Sequence, residues 1–308
     1  MIPASTGSGA RLPATGGALL IDKPSGPTSH DVVVQIRRAL AERRVGHTGT
    51  LDPLASGLLV ILAGPATRLS HFLIGHDKRY LATIRLGIAT DSLDADGRIV
   101  AEDDRWSRLE RSSIVEAAER LVGEGEQVPP AFSAKKVDGE AAHRRIRRGE
   151  DVELPPVPVT IHALDVRRVA LPEIDIACHV SSGTFVRSLV RDLADALGTH
   201  GHVTSLRRTA VGTMRVDDAI DLEALTGGET PIPWISPLDV VDHLPRVRVD
   251  TESARRLSHG QRLDADARVA EGLVRVEWDH RLLAIGEYRG GVLHPRKVFE
   301  APPAESAS

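Results

Sequence analysis

The sequence predicts two folded units, a larger one that mixes strands with helices and a small β-rich one at the C-terminal end. Three observations carry this. The 308 residues can be divided between a main core and a lesser one. Hydrophobic residues at 41% and charged residues at 27% are the proportions of a chain that folds over most of its length. A stretch from Thr226 to Pro237 with paired glycines and three prolines separates a long first part from a short last one.

The elements follow in order. Met1 to Gly17 is rich in small residues and lacks a cationic start followed by an apolar block, so it reads as a flexible tail. Ala18-Leu19-Leu20-Ile21 is a short buried strand, and Asp22 to Pro27 a turn punctuated by two prolines and a glycine. Val32, Val33, Ile36 and Leu40 keep helical spacing behind Thr28 or Ser29 as cap. Glycines at 46, 49 and 57 mark a loop that feeds the apolar strand Leu58 to Leu62. Tyr80 to Leu86 is strand-like, the run holding Asp91, Asp94, Asp96 and Gly97 is a polar turn, and a helix is expected near Ser113 to Leu121. Ile174, Ile176, Cys178 and Val180 alternate with polar or small residues, which places Cys178 on the apolar face of a half-buried strand. From Thr184 a helix carries Phe185, Leu189, Leu193 and Leu197 on one stripe and stops at Gly198. In the last unit, Arg246 to Val249, Leu273 to Glu277 and Leu282 to Glu287 read as strands and Ser253 to Leu257 as a short helix. Ala301 to Ser308 is a second loose end, and no internal repeat is present.

Charge and cysteine narrow the function classes. A net charge of -4 argues against a protein that coats nucleic acid indiscriminately, while leaving room for a local basic groove. Between Lys135 and Arg148 six Lys or Arg stand against Asp138 and Glu140, and Arg207, Arg208 and Arg215 form a second basic group. Both are either solvated faces or phosphate contacts. With Cys178 the only cysteine, neither a disulfide nor a cysteine-rich zinc site can be built within the chain, which fits a reducing cytoplasm. No run reaches the roughly 20 apolar residues of a membrane-spanning helix.

Two residues stand out chemically. Asp52, before Pro53 in the glycine-flanked loop, is a turn former by type, yet loops of this kind on a rigid scaffold also carry catalytic groups. Arg187 falls in the first turn of its helix, where the dipole disfavours a cation, and no acidic residue lies four positions away on either side. It is either a solvated surface arginine or is matched by an anion from elsewhere, a carboxylate of the fold or a substrate phosphate. Arg191 can pair with Asp195. Aromatic residues make up only 3%, so Tyr80, Phe132 and Phe185 are either core or platforms for an unstacked base.

The segment Gly46-His47-Thr48-Gly49-Thr50-Leu51-Asp52-Pro53-Leu54-Ala55-Ser56-Gly57-Leu58-Leu59 resembles the catalytic-aspartate motif of the TruB family of tRNA pseudouridine synthases. In the same order come Asp22-Lys23-Pro24-Ser25-Gly26-Pro27, Tyr80-Leu81-Ala82, Pro129-Pro130-Ala131-Phe132-Ser133-Ala134-Lys135-Lys136, Gly183-Thr184-Phe185-Val186-Arg187 and Leu206-Arg207-Arg208-Thr209, each similar to a segment of that family. Phe132 and Phe185 stand where the family usually has tyrosine, which keeps a stacking face and removes a hydroxyl; His143 also replaces a tyrosine.

The resemblance implies an α+β fold, a large mixed, mainly antiparallel sheet with flanking helices and an RNA-binding insert near 124–153, within a catalytic domain of 18–243. It implies a PUA-like RNA-binding unit at 244–300. Asp52 would be the nucleophile and Arg187 its partner. His47, Tyr80, Phe185 and Leu206 would hold the flipped base or its displaced neighbours, and Lys23, Lys135, Lys136, Arg144, Arg207 and Arg208 would touch the RNA backbone. The implied substrate is uridine 55 in the T-arm of tRNA, handled by a cytoplasmic monomer that needs no cofactor, metal, protein partner or guide RNA. Rival readings are a uridine methyltransferase, poorly served by a core-facing Cys178, and an RNA chaperone without chemistry.

Overall fold

The computed structural model describes residues 12–132, 136–137, 140–141, 148, 154–227, 231–265 and 269–301. Its first part is built on one ten-stranded sheet. The strands are β1 (Gly17–Lys23), β2 (Val45–His47), β3 (Ser56–Ala63), β4 (Lys78–Leu86), β5 (Gly123–Gln127), β6 (Val157–Ala170), β7 (Glu173–Val180), β8 (Gly201–Val211), β9 (Met214–Arg215) and β10 (Ile220–Asp221). They run in the order β10-β1-β3-β8-β4-β7-β6-β5, with β2 on β3 and β9 on β8. Only β1 with β10 and β3 with β8 are parallel; the other pairs are antiparallel, so the sheet is mixed and mainly antiparallel.

Among the helices that flank it are α1 (Ser29–Leu40), α2 (Arg111–Arg120) and α3 (Val186–Ala196). Thr28 caps α1 in a capping box with Asp31, which satisfies free amides at both ends of the first turn. In β4 and β7 alternate residues are buried, Tyr80, Ala82 and Ile84 beside Ile174, Ile176 and Cys178, so the period of two decides which side chains meet the helices. Leu189, Val190 and Leu193 of α3 join the same core.

Three expectations change. Asp22 and Lys23 belong to β1, paired with Leu58 and Gly57, and the chain turns only at Pro24. Beside the expected boundary, the described residues 231–237 are attached to the main sheet: Ile232 and Trp234 are buried, and Ile235 exchanges backbone hydrogen bonds of 2.9 Å with Ala18. Of the expected N-terminal tail, Leu12 packs against the main core.

The last part is a five-stranded sheet, β11 (Arg246–Arg248), β12 (Leu263–Asp264), β13 (Gly272–Trp278), β14 (Arg281–Arg289) and β15 (Val292–Val298), in the order β11-β13-β14-β15-β12, with α4 (Thr251–Ser258) packed against it. It has a core of its own, but Leu282 and Ile285 of β14 are buried with Leu20, Leu58 and Val60 of the large sheet. No helix among the described residues is long and apolar enough to cross a membrane.

Candidate active site

Asp52 lies between β2 and β3 in a segment without regular structure, and yet every carbonyl from Gly49 to Leu54 has a donor. Arg208 donates to Gly49 and Thr50 (3.0 and 3.3 Å), Ser29 Oγ to Leu51 (2.9 Å), Ala55 N–H to Asp52 (3.1 Å), Gly26 N–H to Pro53 (2.8 Å) and Ser25 Oγ to Leu54 (3.0 Å). Ser29 Oγ also accepts from Leu51 N–H. The loop is therefore fixed from both flanks by residues far away in sequence, which is how irregular backbone is held rigid.

Lys23 and Arg208 are the cations of this clamp. Lys23 is fully buried in side-chain terms and its ammonium donates to the carbonyls of Pro24 and Pro27 at 2.8 Å and approaches that of Pro53. Burial, only partly offset by Asp52, lowers its pKa to about 8. Arg208 is 2% exposed, and Nε donates to Leu58 while both Nη groups take the Asp52 loop. Both were expected to touch the RNA backbone. Their burial corrects this: they hold the loop from beneath. Arg207 is also committed, by two hydrogen bonds of 2.9 and 2.6 Å to Asp22. Lys135 and Arg144, and the side chain of Lys136, lie outside the described residues.

Arg187, in the first turn of α3, receives the anions its position demands. Nε lies 3.0 Å from Asp52 Oδ2 and Nη1 3.1 Å from Asp94 Oδ2. Nη1 also donates to Ser92 O (2.8 Å) and Nη2 to Phe132 O (3.0 Å). Its side chain is 7% exposed, and that of Asp52 37%, so the guanidinium is sealed below while the carboxylate opens outward. Burial raises the Asp52 pKa first, Arg187 opposes that, and the Asp94 charge adds to the rise.

The opening is a cavity of about 470 Å³ lined by Asp52, Tyr80, Phe185, Arg187, Leu206 and Arg208, among others. Gln127 Oε1 accepts the backbone N–H of Phe185 at the head of α3, which fixes the ring at the cavity wall. Burial raises the Tyr80 pKa, with Arg208 against its hydroxyl opposing the shift, so the phenol stays protonated near neutral pH. His47 lies in β2 outside the cavity lining; its Nδ1 accepts Gly49 N–H (3.3 Å). Burial and then the Arg208 charge lower its pKa. Cys178 faces the core, its thiol pushed up to about 12 by burial, which leaves it no role as a nucleophile at neutral pH.

Sequence reasoning missed two groups. Asp94 is buried and receives Ser92 Oγ and Asp96 N–H as well as Arg187; the polar turn was visible, but nothing in it singled out one aspartate. Lys78 lines the cavity with its ammonium on Ile74 and His76 carbonyls, and burial lowers its pKa to about 8. Its place two residues before Tyr80 on the same strand face was the available signal. Arg191 pairs with the neighbouring Asp192 (2.7 Å), not with Asp195.

The sequence matches known proteins over most of its length. Residues 37–186 match the TruB family pseudouridylate synthase N-terminal domain, 187–230 the tRNA pseudouridylate synthase B C-terminal domain, and 245–299 the pseudouridine synthase II TruB C-terminal region. The chain is 39% identical over 286 residues to the tRNA pseudouridine synthase B of Aquifex aeolicus strain VF5, covering 92% of this chain and 99% of that one.

The chain belongs to the TruB family of pseudouridine synthases, which are isomerases.

Another TruB-family relative, the tRNA pseudouridine synthase B of Thermobifida fusca strain YX, is 42% identical over 92% of this chain and 98% of its own. The fold is also that of a protein in an H/ACA RNP bound to a substrate RNA containing 2'-deoxyuridine, with a TM-score of 0.71 at 23% identity over 93% of this chain and 86% of that one. A Cbf5-Nop10-Gar1 complex gives the same TM-score at 24% identity, over 92% of this chain and 85% of that one. In this chain the Asp52–Arg187 contact joins the first of the matched regions to the second.

Proposed function

We propose that this chain converts uridine 55 in the T-loop of tRNA to pseudouridine, alone and without guide RNA, with Asp52 as the nucleophile on a flipped-out uridine. The observation that carries the reading is the carboxylate of Asp52, backed by a buried guanidinium and facing a cavity with Tyr80, Phe185 and Leu206 in its walls. The tRNA pseudouridine synthase B relatives support the substrate class.

The reaction breaks the bond from N1 to C1′, forms one from C5 to C1′, moves a proton off C5 and leaves one on N1. Atoms and electrons balance within the substrate. A carboxylate serves it by adding to C6 of the base, by adding to C1′ of the sugar, or by deprotonating the sugar, and each requires the ionised form. Arg187 supplies that form and its orientation. With the substrate filling the cavity, its walls would keep water from a cleaved base. Phe185 offers a stacking face without a hydroxyl, so proton movement at that wall falls to other groups.

The deciding experiment incubates purified protein with an unmodified tRNA transcript and no added factor, then locates pseudouridine by chemical labelling and sequencing. Pseudouridine at position 55 with wild type and none with Asp52→Asn is expected. No product from wild type, or equal product from Asp52→Asn, would overturn the reading; product only after adding guide RNA and protein would reassign it to a guided enzyme.

A further inference from the structure

Away from the cavity, two imidazoles converge on one carboxylate. His162 Nε2 lies 3.1 Å and His179 Nε2 3.6 Å from the same oxygen, Asp77 Oδ2, and one ligand atom from each of the three lies within 4.8 Å of the other two. The histidines come from neighbouring strands. His179 is on the face of β7 opposite Cys178, and His162 occupies a β-bulge of β6, where Ile161 pairs with Val180 but Ala163 already pairs with His179. The bulge supplies the extra residue that turns the His162 ring toward His179, with centroids 4.6 Å apart. Asp77 arrives from the residue before β4, held by its own carbonyl to Gly212 N–H (2.8 Å).

We propose that Asp77, His162 and His179 form a binding site for one divalent transition-metal ion of the zinc class, on the sheet face opposite Cys178, where β4 begins and β7 ends, and separate from the Asp52 cavity. Ligand bonds of about 2.0–2.1 Å in a tetrahedron give ligand-to-ligand edges of about 3.4 Å. The two short edges here, 3.1 and 3.6 Å, bracket that value. The remaining edge closes by a side-chain rotation, which exposure permits: Asp77 and His162 are 42% and 36% exposed. Imidazole with one carboxylate suits zinc, nickel or copper and not magnesium or calcium, which take oxygen ligands. Two neutral rings this close can share one cation, whereas two protonated rings would repel each other. Arg79 lies near enough to His179 to oppose a cation, and the Asp77 carboxylate is the charge that offsets it. Three protein ligands leave a fourth position for water. Because Lys78, beside Asp77, lines the cavity, a bound ion would tie the start of the Tyr80 strand to β6 and β7.

The test uses full-length, tag-free, chelator-treated protein titrated with zinc alone by calorimetry, with cobalt absorption as a geometric readout. Expected are one equivalent bound, a tetrahedral cobalt spectrum, and a rise in Tm with zinc. The double variant His162→Ala/His179→Ala, verified as folded by circular dichroism, should lose affinity by ~10-fold or more together with the Tm rise. Asp77→Asn should weaken binding while keeping both rings. Zinc binding equal in wild type and the double variant, or no saturable binding in either, would overturn the site and leave the three residues as a hydrogen-bonded surface group.

Discussion

Asp52 and Asp94 face one guanidinium, and the difference between them is exposure: Asp94 is sealed with Arg187, whereas Asp52 opens on the cavity. Arg187→Met should therefore cost about 3–5 kcal/mol of stability, because it leaves the Asp94 charge buried without its partner; urea unfolding measures this. The same variant removes the charge that holds the Asp52 pKa down, so the acid limb of activity should move to higher pH. Asp94→Asn works in the opposite direction. Asp94 raises the Asp52 pKa, so its neutralisation should carry the acid limb to lower pH, read from a kcat profile of the purified variant. Asp52→Asn should lower kcat by about 10³-fold or more, as loss of one member of a group that acts as a unit does. Sequence alone pointed to an anion for Arg187, against the alternative of a solvated arginine, because its position in the helix is readable. It did not show Asp94, since the pairing joins residues 93 positions apart through a turn whose three aspartates look alike in sequence. Nor does any local signal tell a buried arginine from an exposed one, so the basic group holding Arg208 reads equally as a solvated face or a phosphate contact.

At the scale of elements, the parallel contact of β3 with β8 is the narrow point. Gly57 has φ +97°, and a Cβ there would come within 2.3 Å of the Arg208 carbonyl oxygen. Gly57→Ala should depress Tm sharply and displace Arg208 from the Asp52 loop, reducing kcat more than a surface substitution of equal Tm effect. Ser29 is a subtler element contact, since one hydroxyl both donates to and accepts from Leu51. Ser29→Ala leaves two buried backbone groups without their partner and should cost about 1–3 kcal/mol in chemical denaturation. The strands were legible where an alternating pattern was clean, as in Ile174 to Val180. They were not where a proline interrupts: Pro295 lies in β15 opposite Gly286, beside an irregular register, so no clean alternation marks that strand in the sequence.

Over the whole molecule, the two sheets share buried side chains, with Leu282 and Ile285 of the C-terminal sheet packed on Leu20, Leu58 and Val60. A separate small unit was the expectation from the glycines and prolines near 226–237; a shared core has no signature in local sequence, because either unit alone displays the same apolar residues. Removing residues 244–308 should therefore lower the Tm of the remaining part by several degrees and expose apolar surface to a hydrophobic dye, and the intact chain should melt in one transition. The fixed loop around Asp52 has a further consequence. With its carbonyls already satisfied, the protein contributes little rearrangement at the moment of encounter, and the burden of changing shape passes to the nucleic acid. On the proposed reading, the enzyme then selects among RNAs by how cheaply each releases a base from its stack. Loops whose target uridine is poorly stacked should be turned over at lower KM than tightly stacked loops of the same sequence around the target.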